Sequence, residues 1–111
     1  MPYDENLAKR IQPLLSRKKG YSAKKMFGGL GYLLNGHMCV GIWKNSLIAR
    51  VGPEAYEQAL AEPTAREFDI TGRAMTGWVM IEPDGLAKDS ELKYWVTLAA
   101  KFAGSLPPKP K

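Results

Sequence analysis

The sequence predicts an α+β fold, a two-layer sandwich in which helices pack on one antiparallel sheet. Apolar residues recur at helical spacing near both ends of the 111-residue chain. The middle instead holds short apolar runs separated by tight turns, a pattern typical of strands. The expected element order is α-β-β-β-α-β-β-α, and such a mixture of helical and strand segments is characteristic of the α+β class.

Composition indicates one globular domain over residues 1–111, in which we expect the proline-rich end at residues 107–111 to be frayed. The chain is 45% hydrophobic and 24% charged, with a net charge of +5. Its apolar runs fall short of the roughly 20 residues that span a bilayer, so no membrane contact is expected. The start lacks the apolar stretch of a secretory signal. Cys39 stands alone, which fits a reducing compartment, and we expect a cytoplasmic protein.

The first helix is expected from about Asp4 to Arg17. Asp4 precedes the first apolar position and suits an N-cap, where a carboxylate accepts hydrogen bonds from the free backbone N–H groups. Gly20 ends the segment. The apolar positions recur three or four residues apart and form one face. They are Leu7, Ile11, Leu14 and Leu15.

Two tight turns are expected to join three strands, within residues 26–51, into a meander. The Asn-Gly pair at 35–36 lies between apolar runs and is the strongest short hairpin signal, a type I′ turn. We interpret the Lys-Asn pair at 44–45 as a second two-residue turn. Since side chains alternate between the faces of a strand, one face of the meander is then wholly apolar. It carries Leu33, Met38, Val40, Ile42, Leu47, Ala49 and Val51.

The opposite face of this meander is the candidate partner face. Three helices of modest length are expected to cover one sheet face only, and this second face is too apolar to be left exposed to water. Tyrosine, tryptophan and arginine are also enriched at binding hot spots. We therefore expect a protein partner, with a homodimer as one form. The alternative is that a helix covers this face and the wholly apolar face makes the contact. The candidate residues are Leu30, Tyr32, Cys39, Trp43, Ile48 and Arg50.

Three glycines, Gly28, Gly29 and Gly31, interrupt the first strand of the meander. A dinucleotide-binding loop needs a third glycine where Leu34 stands and a helix afterwards, but a hairpin follows. No nucleotide or other cofactor is therefore expected. The predicted register sets Gly31 opposite Val40. It thus places Gly29 and Gly31 on the wholly apolar face, where they leave a trough for a helix.

The remaining elements complete the predicted order. A short helix is expected after Gly52 and Pro53, which suit its N-cap and N1 positions. Two strands follow over residues 66–70 and 76–81, with a turn at 71–73 between them. The last helix is expected to begin near Asp89 or Ser90.

Four stretches of the sequence together resemble the TfoX amino-terminal domain family. They are KKMFGGLGYLLNGHM, SLIARVG, FDITGRAMTGWVMI and the Leu-x-x-Trp of Leu92 and Trp95. The resemblance covers about residues 23–103. It implies a fold similar to that of type III secretion chaperones. It also implies a regulatory role, because TfoX and Sxy proteins control competence gene expression in bacteria.

The resemblance also bears on domain organisation and catalysis. TfoX and Sxy regulators carry a second, carboxy-terminal helical domain, whereas this chain ends at Lys111. We therefore expect a stand-alone domain. The family offers no catalytic residues to carry over, so a non-enzymatic protein is expected.

A cysteine-dependent enzyme is a less favoured alternative. In the predicted register Cys39 shares a face with His37 and lies across from Arg50, whose charge would lower the pKa of the thiol. No orienting acid accompanies them, and a free cysteine commonly packs as a small hydrophobe. One cysteine and one histidine also fall short of a four-ligand structural zinc site. We therefore expect neither catalysis nor a metal.

A candidate basic patch surrounds the connection between the first helix and the first strand. No helix-turn-helix, RNA-binding aromatic pair or zinc finger accompanies it in the sequence. Weak, salt-sensitive binding of nucleic acid through phosphate contacts is therefore an alternative function, and specific reading of bases is not expected. The patch comprises Arg17, Lys18, Lys19, Lys24 and Lys25.

Overall fold

A computed structural model of the chain describes residues 4–18, 20–26, 29–68 and 76–106. These residues form three α-helices and one six-stranded antiparallel sheet, and the predicted α+β class is confirmed. In chain order the elements are α1 (Glu5–Leu15), β1 (Tyr21–Met26), β2 (Gly29–Leu34), β3 (His37–Trp43), β4 (Ser46–Arg50), α2 (Tyr56–Leu60), β5 (Ala65–Glu67), β6 (Trp78–Ile81), a 3-10 helix (Pro83–Leu86) and α3 (Asp89–Ser105).

The strands lie in the order β1-β2-β3-β4-β6-β5 across the sheet. The predicted order of α-helices and strands is confirmed with one additional strand, the edge strand β1. In the segment YSAKKM the alternation of apolar and polar residues breaks at Lys25, and alanine and lysine are depleted in strands, so its sequence alone is a weak strand signal. The segment becomes a strand because it pairs along its whole length with β2, from Tyr21 opposite Leu34 to Met26 opposite Gly29.

Helix α1 begins as its sequence predicts and ends two residues before Arg17. One carboxylate oxygen of Asp4 accepts hydrogen bonds from the backbone N–H of Asn6 at 2.9 Å and of Leu7 at 3.2 Å. This is the N-cap arrangement, which satisfies donors that have no partner within the helix. The N–H of Asp4 itself donates to the carbonyl of Lys44 at 2.7 Å, which ties the start of α1 to the β3–β4 turn.

Both tight turns of the meander are confirmed. Asn35 and Gly36 have φ values of 54° and 85°, the positive values that a type I′ turn requires. They set Leu34 opposite His37. In the second turn Lys44 has a φ of 57°, and Trp43 lies opposite Ser46.

All three described helices pack on one face of the sheet, here named the helix-covered face. Leu7, Ile11 and Leu15 of α1 join the apolar side of α3, around Trp95 and Val96, in a single core with this face. Side chains of α2 pack against the same core beside β5 and β6. The sheet contributes Val40, Ile42, Leu47, Ala49, Val79 and Ile81.

The later elements differ from their predicted bounds by a few residues. Helix α2 begins at Tyr56 rather than at Gly52 and Pro53, which belong to the preceding turn. Strand β6 begins at Trp78, and α3 begins at Asp89 as expected. Several sequence predictions lie outside the described residues. They concern Lys19, Gly28, the strand end at 69–70, the turn at 71–73 and the frayed tail at 107–111.

Candidate functional site

A β-bulge in β3 divides the residues of the candidate partner face between the two faces of the sheet. Leu33 pairs with Met38, but Tyr32 pairs with Val40, so Cys39 has no residue opposite it on β2. The extra residue shifts the register by one along the rest of both strands. The predicted pairing of β2 with β3, which continued straight from the Asn-Gly turn, is therefore wrong beyond the bulge, whereas the predicted pairing of β3 with β4 is confirmed.

Leu30 and Tyr32 therefore lie on the helix-covered face and are not part of an open surface. Tyr32 is 2% exposed, and its hydroxyl donates a hydrogen bond to the carbonyl of Ala8 in α1 at 3.4 Å. Its ring also lies 6.3 Å from that of Tyr21. Leu30 is half-buried against the same core. Both residues hold α1 on the sheet.

Cys39 is a core residue. The bulge directs its side chain into the helix-covered core, where it is 0% exposed. Burial raises the pKa of Cys39 from its ordinary value of 9.0 to about 12, and the nearby charge of Lys18 opposes this only in part. The cysteine-enzyme alternative requires Arg50 to lower the pKa of this thiol, but the guanidinium of Arg50 lies against aromatic rings instead. The thiol is therefore protonated at neutral pH.

The other side of the sheet, the helix-free face, is covered by none of the described helices. It retains Trp43, Ile48 and Arg50 of the predicted partner residues. Register places further apolar side chains beside them, because Ile48 lies opposite Met80 and Arg50 opposite Trp78. Ile48 and Met80 are buried, whereas the larger side chains around them are half-buried. The helix-free face comprises Leu33, Met38, Trp43, Ile48, Arg50, Arg66, Trp78 and Met80.

Cations lie over the tryptophan rings of this face. The ammonium of Lys44 is 4.7 Å from the centre of the Trp43 ring. The guanidinium of Arg50 lies 5.3 Å from the Trp78 ring and 5.4 Å from the ring of Phe102 in α3. These are cation–π distances. Arg50 thus marks the edge where the helix-free face meets the end of α3.

The glycines of β2 and β3 allow the backbones of neighbouring strands to approach closely. The prediction that Gly29 and Gly31 leave a trough for a helix is wrong. Gly31 lies opposite Gly41 on the helix-free face, away from every described helix. A Cβ atom on Gly29 would collide with the carbonyl oxygen of Ile42, and one on Gly41 would lie 2.8 Å from Cε of Met38. A side chain at Gly29 would push β2 away from β3, and the side chain of Met38 lies over Gly41.

The candidate basic patch does not form one flat surface. Arg17 and Lys18 follow α1, whereas Lys24 and Lys25 lie on the edge strand β1. All four are exposed. Lys24 lies opposite Gly31 and Lys25 opposite Leu30, so their side chains leave opposite faces of the sheet. Lysines on an edge strand also oppose its pairing with another strand that carries positive charge.

Shallow grooves flank the helices. One of about 400 Å³ lies between Val51–Ala55 and the C-terminal half of α3, near Phe102. Another of about 270 Å³ separates α1 from β1 and β2. Within the described ranges, no three histidine, cysteine or acidic side chains gather closely enough to hold a metal ion. None of the helices described there combines the length and apolar character needed to cross a membrane.

Sequence reasoning did not assign Leu33, Met38, Trp78 and Met80 to the helix-free face. The first two fell on the wrong face because the bulge was not foreseen. The other two belong to β6, whose position beside β4 depends on long-range pairing. The unbroken apolar run from Trp78 to Ile81 is the signal that indicates two apolar faces, because successive residues of a strand point to opposite sides of the sheet.

Comparison with known proteins gives one match. The family described as the TfoX N-terminal domain matches residues 13–103, which is most of the chain. Neither a curated protein nor a solved structure matches the chain significantly.

Proposed function

Because the chain belongs to the TfoX N-terminal domain family, we propose that it is a non-enzymatic regulatory domain that binds a protein through the helix-free face. The observation that carries this proposal is the composition of that face. Trp43, Trp78 and Met38 are half-buried on a side of the sheet that none of the described helices covers. Apolar surfaces rimmed by polar groups mark contacts with other proteins.

The regulatory part of the proposal rests on the family. Regulators of the TfoX and Sxy type control competence gene expression in bacteria, and we propose a related transcriptional role in the bacterial cytoplasm. The free thiol of Cys39 agrees with a reducing compartment. In this proposal the domain regulates a partner protein by binding it and catalyses no reaction.

A second copy of the chain is the partner that we propose first. A flat antiparallel sheet face can pack on another sheet at about 10 Å, with side chains of both faces interdigitating. The same surface would then serve both subunits around a two-fold axis. Trp43 and Trp78 are large, and tryptophan is prominent among residues whose truncation costs most at interfaces. They lie opposite the two ends of β4, Trp43 opposite Ser46 and Trp78 opposite Arg50, so such a contact would extend along the whole strand.

The absence of catalysis is supported by the state of Cys39. A nucleophilic cysteine must be present as a thiolate. Burial raises the pKa of Cys39 to about 12, so at neutral pH very little thiolate is present. The same burial keeps a substrate away from the sulfur atom.

Sedimentation equilibrium over a range of concentrations tests the proposal. We expect the wild-type chain to dimerise and Trp43→Ala to weaken the dimer. Tyr94→Ala is the matched control, since Tyr94 is a 49% exposed aromatic residue on α3, away from the helix-free face. Far-ultraviolet circular dichroism on each variant checks that it is folded. Equal weakening by both substitutions would contradict a contact through the helix-free face.

A chain that stays monomeric at every concentration would show that a second copy is not the partner. Affinity capture from a bacterial lysate then tests whether another protein binds the helix-free face. A protein that is retained by wild type and by Tyr94→Ala, but is lost with Trp43→Ala, supports binding through the helix-free face. Retention of the same proteins by all three chains contradicts it.

A further inference from the structure

Strand β1 leaves one edge of the sheet open, and its geometry shows which backbone groups are available there. The N–H of Asn35 donates to the carbonyl of Gly20 at 3.0 Å, so Gly20 turns its backbone toward β2. Residues of an antiparallel strand alternate in this respect. Ala23 and Lys25 consequently turn their N–H and C=O groups outward, and within the described ranges these groups meet no backbone partner.

The space beside this edge is shaped like a groove. Helix α1 lies above β1 and β2, and a groove of about 270 Å³ separates them. Ala8 and Gln12 line its helix side, and Tyr21 and Ala23 line its strand side. Because alternate side chains of a strand point to one face, a segment added beside β1 would direct every second side chain into this groove.

The charges around the edge are mostly positive. Lys24 and Lys25 are exposed on opposite faces of β1, and Lys9 lines the groove beside the acidic Glu5. The two ion pairs formed by the described residues, Arg10 with Asp89 and Arg66 with Glu82, leave these lysines out. Carboxylates on an incoming strand would therefore meet lysines on both of its faces.

From these three observations we propose that the outer edge of β1 accepts an extended, acidic segment of a partner protein as a seventh strand of the sheet. The outward groups of Ala23 and Lys25 would supply main-chain hydrogen bonds, as in other cases of strand addition. Acidic side chains would contact Lys24 and Lys25, and small apolar ones would enter the groove under α1. This site is separate from the helix-free face, so either proposal can fail alone.

A second copy of the chain fits this edge poorly. Pairing β1 with β1 of another subunit would bring lysines of both chains together, and like charges across paired strands are destabilising. A net charge of +5 on each copy adds to this repulsion. Charge complementarity therefore selects a different, acidic chain.

Selection from a phage-displayed library of random peptides on the immobilised protein tests the proposal. We expect enriched peptides that are acidic and alternate polar with apolar residues. Their affinity, measured by fluorescence anisotropy on synthetic peptides, should fall roughly tenfold or more with Ala23→Pro, which removes an outward N–H without touching the β1–β2 ladder. Ala23→Ser, which keeps that N–H, is the control and should retain binding.

Charge reversal gives a second, independent arm. The double variant Lys24→Glu, Lys25→Glu should weaken the selected peptides, whereas Lys93→Glu, Lys101→Glu, with the same charge change on exposed positions of α3, should not. This arm decides the matter if Ala23→Pro fails to fold.

Several outcomes would overturn the proposal. Failure to enrich any peptide, enrichment of peptides without acidic residues, or equal binding to Ala23→Pro and Ala23→Ser would each do so. Tighter binding of a single-stranded oligonucleotide than of the selected peptides, lost on reversal of Lys24 and Lys25, would assign the lysines to nucleic acid instead.

Discussion

On the helix-covered face of the sheet, Leu47 and Val40 are fully buried in the core that α1 and α3 share with the sheet. On the helix-free face, Trp43 and Met38 are only half-buried. Both faces are apolar in sequence, so composition does not tell them apart. The difference arises because the helices supply enough apolar surface for one face only. An apolar pattern on both faces of a strand therefore does not indicate which of the two faces the helices cover.

The largest predicted difference between the faces is in stability. Leu47→Ala empties space in a closed core and is expected to lower the free energy of unfolding by about 2–5 kcal/mol. Trp43→Ala removes a larger but half-buried side chain and is expected to cost no more than about 2 kcal/mol. Urea unfolding of both variants measures this. Equal losses would mean that the helix-free face is as closed as the other within the isolated chain.

A second prediction concerns the backbone beneath the helix-free face. Gly29→Ala places a Cβ against the carbonyl of Ile42 in β3, and we expect a loss of about 1–3 kcal/mol as the strands separate. Gly104→Ala is the control, because its Cβ in α3 would meet nothing within 4 Å. There alanine should stabilise the helix by about 0.5–1 kcal/mol. Thermal unfolding should therefore show shifts of opposite sign.

The thiol at the bulge gives a third, pH-dependent prediction. In the unfolded chain Cys39 ionises near its ordinary pKa of 9.0, whereas burial raises the pKa in the folded chain to about 12. Its contribution to stability is therefore complete below pH 9.0 and is lost as the pH rises toward 12. The loss should approach about 1.4 kcal/mol per pH unit.

Cys39→Ala isolates this contribution, because other groups also ionise in alkaline solution. The difference in unfolding free energy between wild type and Cys39→Ala should shrink as the pH rises through this window. A constant difference would mean that the thiol is not buried as the bulge requires.

The smallest prediction concerns the edge between the faces. Arg50→Gln removes a cation held between the rings of Trp78 and Phe102, and a loss of about 0.5–1 kcal/mol is expected. Arg66→Gln serves as the control, because its ion pair with Glu82 is exposed and contributes little. Chemical denaturation of both variants should rank Arg50 above Arg66. The reverse ranking would contradict the account of Arg50.

Local signals in the sequence were sufficient to predict most of the helices, strands and turns of the fold. The Asn-Gly turn, the Asp4 N-cap and the start of α3 near Asp89 follow from residue types at fixed positions, and each is confirmed. Strand β1 has no such signal, because its lysines and serine acquire strand structure only by pairing with β2. The pairing is with the next strand along the chain, from Met26 opposite Gly29 onward, so it depends on residues that lie outside the six-residue segment.

The candidate site was predicted less well than the fold. A single extra residue at Cys39 reverses the face of every later residue of β3 relative to β2, and neither Cys39 nor its chain neighbours Met38 and Val40 is a glycine or a proline. Trp43, Ile48 and Arg50 were nevertheless placed together, since they lie beyond the bulge on β3 and β4. Tyr32 and Leu30 were misplaced because they lie across it.

Thiol labelling at positions 38 and 40 shows directly whether a bulge at Cys39 separates two faces of different accessibility. Single cysteines are introduced as Met38→Cys and Val40→Cys in a Cys39→Ala background and labelled with a maleimide under native conditions. An unbulged strand would place both positions on one face and give them similar rates. Position 38, on the helix-free face, should be labelled rapidly, whereas position 40, which is 0% exposed, should be strongly protected. Similar rates at the two positions would contradict the bulge.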